Sequence, residues 1–110
     1  MSEERERRAG LNEAIFRHLN EEVRDLNEAF DAHDGMMTIV CECADAGCAE
    51  RLALPVSEYE RVRSDSLLYV IASGHVFPEV DRLVERHGSW GVVRKVGIAG
   101  EIAEETDPRS

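Results

Sequence analysis

Met36-Met-Thr-Ile-Val-Cys41-Glu-Cys43-Ala-Asp-Ala-Gly-Cys48-Ala-Glu-Arg51-Leu-Ala-Leu54 divides into two apolar runs around a loop of small residues. Met36 to Cys41, with Thr38, Ile39 and Val40 at its centre, reads as a strand. Residues 43 to 50 read as a loop, and Arg51 to Leu54 as a second short strand. The pair predicts a hairpin whose turn carries all three cysteines. Asp45 and Gly47 allow the tight bend that returns Cys48 toward Cys41 and Cys43.

Three cysteines within eight positions, in a polar turn, fit buried packing thiols poorly. They fit a metal site well. A tetrahedral zinc site takes four thiolate or imidazole ligands, and the spacing here is C-x-C-x4-C, without paired C-x2-C motifs. The fourth ligand is expected from His75, which follows Gly74 at a strand end, in a loop before Pro78. His18 and His33 lie near the first helix. His87 is expected at a helix end, where the C-terminal dipole explains it. Asp45 is the reserve oxygen ligand.

Cys41, Cys43, Cys48 and His75 therefore form the expected metal set, with zinc as the ion. A [2Fe–2S] cluster accepts the same donors, but a compact turn suits one ion better than a cluster. Three thiolates around Zn²⁺ leave a charge of -1. Arg51 and the backbone N–H groups of the 43–48 turn are the expected donors to that charge. Four protein ligands make a closed, structural site. If His75 does not bind, an open position would make a zinc enzyme arguable, with Glu42 as base. Nothing else in the sequence supports catalysis: phosphate-loop, G-x-S-x-G and H-E-x-x-H patterns are missing. Acidic neighbours Glu42, Asp45 and Glu50 argue against a low-pKa redox thiol.

Outward from the hairpin, Phe16, Leu19, Val23, Leu26 and Phe30 recur at helical spacing from Leu11 to Phe30. The triplet Leu-Asn-Glu repeats at 11–13, 19–21 and 26–28. The stripe packs the helix on its own domain or, in the sharper reading, pairs it with a protein partner or a second copy. Gly35 suits the left-handed cap after His33 and Asp34. Ser57 and Glu60 have capping-box spacing, which predicts a short helix to about Arg63 with Tyr59 and Val62 inward. Leu67 to Ala72 reads as a strand. Pro78 and the apolar positions Val80, Leu83 and Val84 predict a helix over 79–87, capped by Gly88. Trp90 to Val96 is the last strand, with Trp90 in the core and with Arg94 and Lys95 as edge-strand charges.

The fold class expected is α+β: a long N-terminal helix and a small, mostly antiparallel sheet with two short helices. Residues 1–10 are expected as a flexible N-terminus, 11–99 as a single metal-binding domain, and 100–110 as a flexible acidic tail. At 110 residues and 43% apolar, one small core is affordable, and a metal clamp matters more than in a large enzyme. The net charge of -10 repels phosphate backbones, so nucleic acid is excluded as a first partner. Membrane-length apolar runs are missing and the charged N-terminus leads into no signal region, so a cytoplasmic protein is expected. An odd number of close cysteines agrees.

Cys41-Glu42-Cys43, Cys48, Glu58-Tyr59-Glu60-Arg61-Val62-Arg63 and Gly74-His75 resemble a pattern in small uncharacterised bacterial proteins, chiefly actinobacterial. The likeness runs from about Phe16 to Asp107-Pro108-Arg109. It implies no activity.

Overall fold

The computed structural model describes residues 2–29 and 35–109. Along the chain it has α1 (Glu3–Ala29), β1 (Met36–Val40), β2 (Arg51–Pro55), α2 (Val56–Arg63), β3 (Leu68–Ala72), β4 (Asp81–His87), β5 (Trp90–Lys95) and α3 (Gly97–Glu105). The α+β class is as expected, with a long N-terminal helix, antiparallel strands and two short helices. The strands form two sheets: the β1–β2 hairpin, and a three-stranded sheet in the order β3-β5-β4.

The hairpin follows its period-2 pattern. Met37 faces Leu54 and Ile39 faces Leu52, and these four are buried while their neighbours in sequence are exposed or, at Val40, half-buried. They join Tyr59, Val62, Tyr69, Val70, Ile71, Val92 and Val93 in the main core. Tyr59 and Val62 point inward from α2 as expected, and Trp90 is buried. The capping box does not form: α2 starts at Val56 after Pro55, with no side-chain cap, and the Val56 N–H donates to Gly35 O.

The helix expected over 79–87 is a strand. β4 pairs along β5 from Asp81↔Lys95 to His87↔Trp90, with an irregularity between Leu83 and Glu85. Gly88-Ser89 is the two-residue turn of this hairpin, and Gly88 has φ +75°. A left-handed glycine serves a helix cap and a primed hairpin turn equally, so the sequence signal was ambiguous. β5 is consequently the central strand. Lys95 is buried against Glu13 and Asp81, and only Arg94 is exposed, on Asp65. The expected edge-strand role for this pair is corrected.

The segment expected as a loose tail from Gly100 carries most of α3, whose Ala99, Ile102 and Ala103 are buried. α3 lies on α1 at a close crossing: a Cβ added at Gly10 would sit 3.1 Å from Ala99 Cα. α1 starts at Glu3, before the apolar stripe. Its expected end at Phe30, with His33 and Asp34, lies outside the described residues; Gly35 has the expected left-handed φ, +71°.

The largest departure is the face α1 buries. Glu13, Arg17, Asn20 and Glu21 are turned inward and covered, whereas Leu11, Ile15, Leu19 and Leu26 are exposed. Arg17 donates to Ser66 O and Ala103 O and lies over the Tyr69 ring. Among its described residues, the stripe seats α1 only through the half-covered Phe16 and Val23. No helix among the described residues is long and apolar enough to cross a membrane.

Candidate metal centre

Cys41 and Cys43 lie on an extended continuation of β1. Residues two apart in such a segment share a face, so both sulfurs point one way and Glu42 the other. The Cys41 N–H donates to Glu50 O at 2.9 Å, and the Glu42 N–H to Val70 O at 2.9 Å. The segment is therefore held between β2 and β3. Asn20 on α1 pins it from behind. Its amide accepts from Val40 N (2.9 Å) and donates to Val40 O (2.8 Å) and to Glu42 Oε2 (2.7 Å). Glu42 also accepts from Val70 N, and burial pushes its carboxyl above the usual range.

Beyond Cys43, Asp45 builds the turn. Its carboxylate accepts the Gly47 N–H at 2.9 Å, and its carbonyl accepts the Cys48 N–H at 3.0 Å. Cys48 is thereby returned toward the other two sulfurs. Asp45, the reserve ligand, spends its carboxylate in the turn. His75 arrives from the loop after β3. Gly74 takes φ +86°, a region closed to most side chains, and the His75 N–H donates to Ala72 O. The chain bends sharply enough to bring the imidazole to the hairpin tip.

The four residues expected as ligands meet. One ligand atom from each of Cys41, Cys43, Cys48 and His75 lies within 4.8 Å of the others. His75 Nδ1 is 3.6 Å from Cys41 Sγ and 3.6 Å from Cys48 Sγ. Cys41 and Cys43 are buried, while Cys48 and His75 are half-buried. Their outer side opens on a surface depression lined by Asp45, Ala49, Glu50 and Arg51. This group could hold a metal ion.

Each sulfur has a backbone donor. The Ala72 N–H reaches Cys41 Sγ at 3.1 Å, Asp45 N–H serves Cys43, and Glu50 N–H serves Cys48. Two of these donors lie in or beside the expected turn. The third, from β3, carried no sequence signal. Arg51, expected as a charged donor, is exposed at the rim of the depression.

The protonation pattern shows what the cluster lacks on its own. The hydrogen bond from Cys41 pushes the Cys43 thiol down to about 5. The same bond, followed by burial, pushes Cys41 up, and burial pushes Cys48 up. The sulfurs oppose negative charge on one another, because like charges repel. A cation at the centre would offset that repulsion and favour the thiolate form of all three.

The remaining histidines have other occupations. His18 is exposed beside Glu22. His87 contacts Glu85 at 2.7 Å and stacks on Trp90, in a strand and not at the expected helix end. His33 lies outside the described residues. Sequence reasoning missed Asn20 as a support of the site. The signal available was a residue of low helix propensity in the middle of a helix, which implies a tertiary use. Comparisons with protein-family models, curated proteins and solved structures give no match.

Proposed function

We propose that this chain is a small cytoplasmic zinc protein whose Cys41, Cys43, Cys48 and His75 form a closed structural site, and that it acts through protein contacts and not as an enzyme. The observation that carries the reading is the pair of 3.6 Å separations between His75 Nδ1 and two sulfurs. A tetrahedron with Zn–S of about 2.3 Å and Zn–N of about 2.0 Å has an N···S edge of roughly 3.6 Å. A cluster with two irons spreads its ligands over two metal positions, which fits a set confined within 4.8 Å less well. The three backbone donors suit a site whose net charge is negative.

A structural role is supported by what the ligands connect. Cys41, Cys43 and Cys48 belong to the β1–β2 hairpin, and His75 to the loop between β3 and β4. One ion would tie the two sheets together. An enzymatic role loses its proposed base, because Glu42 faces away from the sulfurs and is fully buried on Asn20 and Val70. The cytoplasmic assignment rests on three free cysteines suited to a reducing compartment.

Cobalt substitution tests the reading. Apo-protein loaded with Co²⁺ should give intense visible bands of tetrahedral cobalt together with thiolate-to-metal charge transfer. His75→Ala should shift those bands without abolishing the charge transfer. A weak, six-coordinate spectrum from the unmodified chain would exclude the four-ligand site.

A further inference from the structure

The three-stranded sheet carries a hollow of about 350 Å³ beside the Gly74 bend. Its floor is one cross-strand row. Ile71 on β3 and Arg86 on β4 both pair with Gly91 on the central strand, so the three positions share a face. The middle one has no side chain. A Cβ added there would lie 2.9 Å from Glu85 O, because the irregularity between Leu83 and Glu85 brings the β4 backbone close. The irregularity demands a glycine, and the hollow follows from it. Leu83 and Val76 give apolar walls, and Ser73 adds a hydroxyl. The size lies at the lower end of small-molecule sites, roughly 300–1,000 Å³.

The charge of the hollow runs against the composition. The chain has 23 acidic and 13 basic residues, yet among the described residues that line the hollow Arg86 is the one charged group. Its guanidinium makes no hydrogen bond or ion pair with the described residues. The neighbouring carboxylate of Glu85 is already taken by Arg61 and His87.

We propose that this hollow binds a small monocarboxylate with a compact apolar body. The planar fork of one guanidinium matches the two oxygens of a carboxylate. Ile71, Val76 and Leu83 would cover the apolar body. A phosphate dianion or a dicarboxylate would call for a second cation, and the walls supply none in a chain of net charge -10. The site uses none of the four expected metal ligands, although Gly74 adjoins His75, so it stands or falls apart from the zinc.

Titration of the full chain with phenylacetate and with isovalerate tests it, followed by amide chemical shifts and by the fluorescence of Trp90, the one tryptophan, which also lines the hollow. Both acids should give saturable shifts at Gly74, Leu83, Arg86 and Gly91. Phenylacetamide, which has the same shape without the charge, should bind at least about tenfold more weakly. Arg86→Gln, at an exposed position, should lose about as much while circular dichroism stays unchanged. Leu83→Trp should fill the hollow and abolish binding of both acids with metal content unchanged. Shifts that fail to saturate by about 10 mM acid, or that centre away from Gly91, would overturn the proposal. So would equal binding of acid and amide, an Arg86→Gln variant that binds like the unmodified chain, or displacement of the acids by inorganic phosphate, which would make the hollow a general anion site.

Discussion

The cysteine end of the molecule and the buried side of α1 gather their polar groups in opposite ways. At the hairpin tip, four donor atoms converge, and the group could take a cation from outside. Under α1 each of two buried cations lies between two carboxylates. Arg63 bonds Glu21 at 2.5 Å and also Asp107, and Lys95 bonds Asp81 at 2.5 Å and also Glu13. These groups link α1 to α2, to β4 and β5, and to the residues after α3. The first region should therefore answer to chelators, and the second to pH and to substitution.

Removing the metal should have the largest effect. A structural zinc site contributes on the order of 10 kcal/mol to folding, so a strong chelator should lower the melting temperature steeply, or unfold the chain outright. Cys43→Ser should act in the same direction even with zinc in excess. An unchanged thermal melt on chelation would remove the contrast between the two regions.

Next in size is Arg63→Ala. It removes the buried guanidinium shared by Glu21 and Asp107, leaving Glu21 to Arg109 and Asp107 to Ser66 and the Arg109 N–H, a change that costs about 3 kcal/mol. Denaturant unfolding would measure it, and zinc stoichiometry should stay the same. Asn20→Ala joins the two regions, since Asn20 reaches from α1 to the strand end beside the cysteines. Loss of its bonds to Val40 and the buried Glu42 should cost about 2–3 kcal/mol and also weaken metal retention in a competition assay. Retention equal to the unmodified chain would separate the regions completely.

Glu13→Gln sharpens the comparison through pH. Two carboxylates, Glu13 and Asp81, share one buried ammonium. Burial pushes Glu13 up from 4.5 to about 8, so the folded state binds a proton that the unfolded chain releases. Stability from this group is full below pH 4.5 and is lost as pH rises through 8. The unmodified chain should weaken over that window, and Glu13→Gln should flatten the slope. The two should be closest in stability at the acidic end and furthest apart above pH 8, where the variant is the more stable. The smallest effect is expected from Asp45→Ala, which removes one turn hydrogen bond and costs about 1 kcal/mol without loss of zinc. If Asp45→Ala released the metal, Asp45 would be a ligand and not a turn residue.

The two regions were also unequally legible in the sequence. The cysteine set was readable because its chemistry is local: three sulfurs within eight residues need one loop, and only the fourth ligand had to be found at a distance. Gly74 beside His75 supplied that clue. The ion pairs under α1 carried no such mark. Arg63 meets Asp107 across 44 residues and Lys95 meets Glu13 across 82, and no periodicity links them. The helical stripe gave the existence of α1 correctly but not the face it buries, because spacing identifies a row without naming what covers it. Glu79 to His87 failed for a different reason. Val80, Leu83 and Val84 fit the helical period and not the alternation of a strand, and pairing along β5 overrode the pattern. Gly97-Ile-Ala-Gly100, a poor helix former by propensity, became the start of α3 because its small residues pack closely on α1.

Elemental analysis of the protein purified without added metal tests the central claim most directly. One zinc per chain in a colourless sample is the predicted result. A chain without metal, or a coloured one with two irons and acid-labile sulfide, would contradict it.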